Sequence, residues 1–318
     1  MRRGRWELRR TSSDYNGYMK RLFGIIQLVR PAHWIKNMVL FAAVLFSPAK
    51  VVLENPQVLL AVIQGFLAFS LVSGGVYAFN DILDLKADRL HPRKKDRPLP
   101  SGRISVPVAL ILSFLFTAAG LAWGFGLSTR FGWIVTAYLL TNVVYSAGLK
   151  RMVILDVLLL SAGFVYRAVG GVAIVAEFLD EVYLSYWLIL CAFLLSLFLA
   201  LAKRRREIAL LGDAAAAHRA SLADYNLQLI DQILAALTAA TLVSYSLYTI
   251  SDDTLRHYGT RDLFWTIPFV VYGLLRYLYL IYKRNEGGDP TSLLVRDRAT
   301  LVNVVLWATV CAVIVYFR

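Results

Sequence analysis

The stretch "LVSGGVYAFNDILDLKADRLHPRKKDRPLPSG", residues 71–102, passes directly from an apolar run into a charge-dense segment. The apolar part belongs to a run over roughly 57–79, long enough to cross a bilayer as a helix, which takes about 20 residues. Asn80, Asp84 and Asp88 follow at i, i+4 and i+8. Each step of four turns an α-helix by only about 40°, so the three oxygen-bearing side chains form one stripe. Asp81 falls on a neighbouring face, and "HPRKKDRP" then answers the acids with bases.

Outward from this segment the chain is 58% hydrophobic and 17% charged, with a mean hydropathy of +0.58. This composition predicts an all-α polytopic membrane protein. Runs long enough to span a bilayer lie at roughly 30–47, 57–79, 104–126, 131–149, 152–176, 183–202, 226–250, 262–282 and 299–317, which predicts nine helices. Lipid offers no partner for backbone N–H and C=O groups, so such runs must be helical. With the N-terminus inside, most of the 34 Lys and Arg residues fall on inner loops, as the positive-inside rule requires. Residues 80–102 are then cytoplasmic, and the C-terminus lies outside the cell membrane.

The net charge of +13 is explained by anionic headgroups and anionic substrates, without nucleic acid. The expected organisation is a basic cytoplasmic arm over 1–25 and one transmembrane catalytic domain over 26–318. The first 20 residues lack the apolar core of a signal peptide. Cys191 and Cys311 both fall in apolar runs, so no disulfide framework is expected. A homo-oligomer is left open.

Hard cations such as Mg²⁺ take oxygen ligands, commonly one or two carboxylates together with substrate phosphates. The stripe of Asn80, Asp84 and Asp88, at the membrane edge beside Tyr77 and a flexible-looking Ser73–Gly75, suits that role. Ionisable groups near membrane depth mark functional sites, although a solvated helix end is the plainer reading. The pattern N-D-x-x-D-x-x-x-D resembles the first acidic motif of the UbiA superfamily of intramembrane prenyltransferases. The resemblance implies a nine-transmembrane-helix bundle with a Mg²⁺-diphosphate site on its cytoplasmic side, where Asn80, Asp84 and Asp88 act as metal ligands and catalytic residues.

Members of that superfamily generally carry a second Asp-rich motif after the sixth helix. Here the corresponding segment reads "LALAKRRREIALLGD", residues 199–213, so Lys203 to Arg206 stand where carboxylates are expected, with Glu207 and Asp213 nearby. Bases in place of acids exchange a metal-mediated grip on phosphate for a direct one, since guanidinium forks bind phosphate oxygens bidentately and Lys acts as a point charge. One acidic and one basic cluster suit a substrate with a diphosphate at one end and a phosphate elsewhere, such as phosphoribosyl pyrophosphate. "RPAHWIKN" (30–37), "HPRKKDRPLPSG" (91–102), "YSAGLKRMVILDVLLLSAGFVYRAVGG" (145–171), "LFLALAKRRREI" (197–208) and "RYLYLIY" (276–282) together resemble the decaprenyl-phosphate phosphoribosyltransferase branch of the superfamily. That resemblance implies transfer of 5-phosphoribose from phosphoribosyl pyrophosphate to a polyprenyl phosphate, for cell-wall arabinan synthesis.

Lys36, Arg97, Lys150, Arg151, Lys203 and Arg204 are the expected phosphate-binding bases, with Asn37, Tyr77, Tyr145 and Glu207 beside them. Prolines and the Ser-Gly of residues 91–102 predict a shaped loop that brings Arg97 over the site. A headgroup-binding loop, and for KRRRE a positive-inside anchor, are the plainer readings. His91 has no His or Cys at metal spacing and reads as loop structure. Arg167 lies mid-helix, where an unpaired cation costs at least about 2.5 kcal/mol, so it should face a partner, an acid or a substrate cavity. Asp156, on nearly the same face, is about 16 Å away along the axis. Arg276 is expected to snorkel or to pair with a nearby acid.

A phosphate nucleophile is ionised at neutral pH, so no dedicated general base is required. Two other readings compete. A prenyltransferase acting on an aromatic acceptor calls for a second carboxylate cluster after the sixth helix. A transporter or lipid-binding protein calls for ionisable residues along several helices at mid-membrane.

Overall fold

Polar caps set where several helices of this chain begin. Ser128, Ser185, Asn226 and Asp297 each accept a hydrogen bond from the backbone N–H of Phe131, Leu188, Leu229 and Thr300 respectively, which satisfies donors that a first helical turn otherwise leaves open. The computed structural model describes residues 23–47, 55–90, 94–178, 185–212, 220–284, 293 and 296–317. Its long helices are α1 (Pro56–Leu83), α2 (Val106–Leu127), α3 (Thr129–Ala147), α4 (Leu155–Val175), α5 (Tyr186–Leu211), α6 (Leu227–Ile250), α7 (Ile267–Arg284) and α8 (Arg298–Tyr316). No strand occurs among the described residues. Residues 1–22 of the expected arm, His91 and Asp213 lie outside them.

Among the described residues, seven helices are long and apolar enough to cross a membrane: α1, α2, α4, α5, α6, α7 with its preceding turn Asp262–Thr266, and α8. The sequence predicts nine, and two runs account for the difference. Residues 30–47 fold as a 3-10 helix, Pro31–Phe41, followed by one short α-helix, Ala42–Leu45. Winding starts at Pro31, whose ring suits a first helical position. Gly171 of α4 approaches the Leu40 carbonyl so closely that a Cβ there would overlap it. The run at 131–149 does form a helix, α3, but Arg130, Asn142 and its hydroxyl residues dilute its apolar character.

The chain divides into two compact units, the first taking described residues up to Ile35 and Leu67–Gly124, the second Lys36–Phe66 and Phe125 onward. The first is centred on Leu28, Ala78, Leu99, Ile104 and Ala109. Here Ser113 Oγ of α2 donates to the Gly75 carbonyl at 2.8 Å, and a Cβ on Gly75 would lie 2.8 Å from the Ser113 carbonyl oxygen. Ser73–Gly75 is therefore a packing seam, where the sequence suggested flexibility.

In the second unit α5 packs against α4 and α6, α4 against α3, and α7 against α8. One core gathers Val157, Phe198, Leu201, Leu234, Tyr277 and Leu280, and another Phe46, Tyr245, Tyr248, Leu263 and Cys311. Lipid tails are as apolar as these side chains, so close packing and interhelical hydrogen bonds hold such helices together. Ser196 Oγ donates to the Ser161 carbonyl at 3.3 Å, and Trp307 Nε1 donates to the Tyr245 hydroxyl at 2.9 Å.

Candidate active site

In the first unit the helical pattern of α1 continues past its end. Asp84 N–H donates to the Asn80 carbonyl at 2.9 Å and Asp88 N–H to the Asp84 carbonyl at 2.8 Å, carrying the chain through the short helix Leu85–Leu90. The expected i, i+4, i+8 stripe therefore exists. Asn80 and Asp84 are half-buried, whereas Asp81 and Asp88 are 3% and 2% exposed. Seven residues apart, these last two share a face, and Arg97 bridges them. Arg97 Nη1 donates to Asp88 Oδ2 at 2.7 Å and to Asp81 Oδ1 at 3.3 Å. Lys94 Nζ stands 3.5 Å from Asp88 Oδ1, and Arg30 pairs with Asp81.

Arg97 holds this place because its loop is folded. Leu99 and Ile104 enter the core of the unit, Ser101 Oγ donates to the Arg97 carbonyl at 2.6 Å, and Arg103 donates to Gln27 Oε1 at 3.0 Å. Gly102, with φ +76°, closes the turn in the left-handed region that favours glycine. Tyr77 joins the cluster from α1: the Arg30 guanidinium lies 5.2 Å from its ring centroid and the His33 ring 5.6 Å away.

Among the described residues no three His, Cys, Asp or Glu side chains gather to hold a metal ion by themselves. Asn80, Asp84 and Asp88 supply the kind of oxygen donors that a hard cation takes when substrate phosphate and water complete its shell.

The second unit carries the basic cluster. Arg204 is 1% exposed and Asp156 fully buried. Arg204 Nε donates to Asp156 Oδ2 at 2.9 Å, and Nη1 donates to Glu207 Oε2 at 2.7 Å. Asp156 also accepts from Ser221 Oγ at 3.2 Å and from the Tyr225 hydroxyl at 3.1 Å. Burial pushes the Tyr225 phenol up to about 12. The same hydroxyl accepts from Ile154 N–H at 2.8 Å. Ile154 has φ 69° and ψ −50°, and Leu155 N–H donates back to the Val153 carbonyl at 2.8 Å. This is the strained form of the γ-turn, unusual for a β-branched residue.

That turn follows the 3-10 segment Leu149–Arg151, where Lys150 is half-buried and Arg151 exposed. Tyr145, on the last turns of α3, lies within electrostatic reach of Arg204. Lys203 is exposed. Arg205 Nε donates to Asp231 Oδ1 at 2.6 Å and its guanidinium lies 4.3 Å from the Tyr282 ring centroid.

Arg167, on α4, has neutral groups among its partners. Its Nε donates to Asn37 Oδ1 at 2.7 Å and its Nη1 to the Gly163 carbonyl at 2.5 Å, with the Tyr138 ring centroid 5.0 Å away. The structure thus brings the two predicted residues Asn37 and Arg167 together, with Lys36 half-buried beside them. Arg276 is paired with an acid, Asp297, through bonds of 2.8 and 3.1 Å.

Sequence reasoning passed over Arg30, Asp156, Ser221, Tyr225 and Asp231 as site residues. An acid in the first turn of an apolar helix, as at Asp156, was the available signal, since a buried carboxylate requires a cation. A cavity of about 240 Å³ in the same unit is lined mainly by apolar side chains, among them Ala168, Val172, Leu188, Ala192, Leu195 and Val270.

Residues 38–303 match the family described as "UbiA prenyltransferase family". The chain is 30% identical to the decaprenyl-phosphate phosphoribosyltransferase of Mycolicibacterium smegmatis, covering 92% of this chain and 93% of that one. It is 29% identical to the enzyme of the same name from Corynebacterium glutamicum, over 92% of this chain and 87% of that one. A solved structure of a UbiA homologue from Archaeoglobus fulgidus, bound to DMAPP and Mg²⁺, superposes with a TM-score of 0.70 at 17% identity, covering 92% of this chain and 98% of the other.

Proposed function

We propose, from the premise that the chain belongs to the UbiA prenyltransferase family, that this integral multi-pass membrane protein transfers 5-phosphoribose from phosphoribosyl pyrophosphate to a polyprenyl phosphate. Decaprenyl phosphate is the expected acceptor, and the product is a precursor for cell-wall arabinan. One observation carries the choice of donor: Lys203 to Arg206 occupy the end of α5, where family members generally present a second set of carboxylates. A direct grip on phosphate suits a donor that has a phosphate besides its diphosphate.

Asn80, Asp84 and Asp88 take the diphosphate end of the donor. Mg²⁺ on these oxygens, when bound, supplies neutralisation of the charge that develops on the departing pyrophosphate. Arg97 holds Asp88 in place and offers its remaining N–H groups to phosphate oxygens. Lys36, Lys150, Arg151 and Lys203 bind the 5-phosphate and the lipid phosphate, and Arg204, locked onto Asp156 and Glu207, fixes the end of α5 from which Lys203 projects. Tyr77 and Tyr145 border the phosphate-binding residues. Arg167 and Asn37 form a buried polar anchor beside Ala168, one wall of the apolar cavity, which accommodates isoprenoid chain.

In the reaction the ribose C1–O bond to pyrophosphate breaks and a C1–O bond to the lipid phosphate forms. The nucleophile is already an anion, so no side chain has to remove a proton. The same reading has nine crossings, α3 and residues 31–45 supplying the two beyond the seven. The N-terminus and residues 80–102 are cytoplasmic and the C-terminus lies outside.

Purified protein given Mg²⁺, labelled phosphoribosyl pyrophosphate and a polyprenyl phosphate should move label into the lipid phase. Label that stays in water removes this reading.

A further inference from the structure

The outer faces of α7 and α8 enclose a groove of about 500 Å³, lined by Tyr272, Arg298, Ala299, Val302, Asn303 and Leu306. Its floor is fixed where Gly273 lets the helices approach. A Cβ at Gly273 would lie 3.2 Å from Asn303 Nδ2, and that nitrogen donates to the Phe269 carbonyl at 2.9 Å. Tyr272, Val302 and Leu306 are 46%, 56% and 49% exposed, so in a membrane this slot meets lipid.

One end of the slot is charged. Arg298 is exposed at the start of α8, with exposed Arg296, Lys283 and Arg284 at the same end of the two helices. Asp297, beside Arg298, is already committed: it takes both bonds from Arg276 and accepts from Thr300 N–H at 3.0 Å and Thr300 Oγ at 2.6 Å. Residues 276–298 hold five bases against three acids, of which Glu286 and Asp289 lie outside the described residues. Among the described residues Arg298 makes no ion pair. An apolar slot with a guanidinium and a phenol at its charged end matches a phosphate headed by one hydrocarbon chain.

We propose that this groove binds an anionic phospholipid of the bilayer, with its phosphate on Arg298 and the Tyr272 hydroxyl and an acyl chain along Ala299, Val302 and Leu306. The occupant is a bilayer lipid and not the acceptor substrate because of where the groove faces. Tyr277, which α7 turns toward Phe198 of α5, is about 140° around the helix from Tyr272. The slot therefore looks away from the helix that bears Lys203.

Native mass spectrometry of the full chain, purified in detergent and mixed with phosphatidylglycerol or phosphatidylcholine, tests this. Wild type should retain one phosphatidylglycerol in preference to phosphatidylcholine, and Arg298→Ala should weaken that retention about fivefold. Val302→Trp, which fills the slot and leaves every charge, should abolish it. Equal retention of the two lipids, or retention unchanged in both variants, overturns the proposal. So does displacement of phosphatidylglycerol by one equivalent of a polyprenyl phosphate, which would make the groove a substrate site. The measurement does not depend on the transfer reaction, so failure of one leaves the other standing.

Discussion

Two buried carboxylate clusters, one in each unit, differ in what holds their charge. Arg97 holds both Asp81 and Asp88, and Arg30 holds Asp81; the two arginine side chains are 33% and 22% exposed. Asp156 meets Arg204, whose side chain is 2% exposed. Each cluster adjoins a non-glycine residue in the left-handed region, Arg30 at φ 52° and Ile154 at φ 69°. A cation that keeps part of its side chain in solvent loses less when its buried acid is removed than one buried at both ends. A pair buried at both ends is fixed, because losing either member strands a charge. The two clusters thus differ in how tightly their charges are held, although both look alike as strings of charge.

The comparison breaks most directly at Asp156. Asp156→Ala leaves Arg204 buried beside Glu207 alone and should cost about 3–5 kcal/mol, read as a large fall in thermal unfolding temperature in detergent. Asp81→Ala should cost clearly less, since its cations can turn to water; equal losses would erase the distinction. Next in size, Asp84→Asn should lower label transfer about 10²–10³-fold while leaving the unfolding temperature unchanged. Full activity in that variant removes Asp84 from the site.

Tyr225→Phe deprives Asp156 and Ile154 N–H of one hydroxyl and should cost about 1–3 kcal/mol. It also changes the alkaline limb. The folded phenol, pushed up to about 12 by burial, stays protonated where the unfolded chain ionises near 10. Stability from this group is complete below pH about 10 and declines as pH rises toward the folded value. Denaturation midpoints between these pH values should fall less in Tyr225→Phe than in wild type.

Smallest is the acid limb. The Arg276 hydrogen bonds hold the Asp297 carboxyl well below the usual carboxylate range, so its contribution is present above the unfolded value near 4 and is lost as pH falls through the folded one. Asp297→Asn should lower the unfolding temperature at pH 7 and flatten its decline below pH 4. An unchanged acid limb would show that another carboxylate governs it.

Much of the membrane fold is written in hydropathy, because lipid enforces helicity on any long apolar run. Hydropathy does not say how a run will wind. Residues 30–47 read as a span; there winding starts at Pro31, Gly171 packs on the Leu40 carbonyl, and the run forms a 3-10 helix and one short α-helix. The acidic stripe was legible from its spacing. The choice of Asp81 and Asp88 as the residues gripped by Arg97 was not, since it depends on how the loop carrying Leu99 folds back. Arg167 advertised that it needed company, but its bond to Asn37 joins residues 130 apart in the chain. Arg204 was legible as a base and illegible as a buried one, because its acid sits 48 residues earlier on another helix.

On the proposed function, a phosphoribosyl donor and a lipid phosphate are the two substrates of this protein. Pyrophosphate release by the purified protein tests it most directly, measured with each donor and acceptor supplied singly and together in the presence of Mg²⁺. Release is expected only when phosphoribosyl pyrophosphate and a polyprenyl phosphate are both present, in equal amount to lipid-linked phosphoribose. Release instead from a prenyl diphosphate with an aromatic acceptor, and none from phosphoribosyl pyrophosphate, would contradict it.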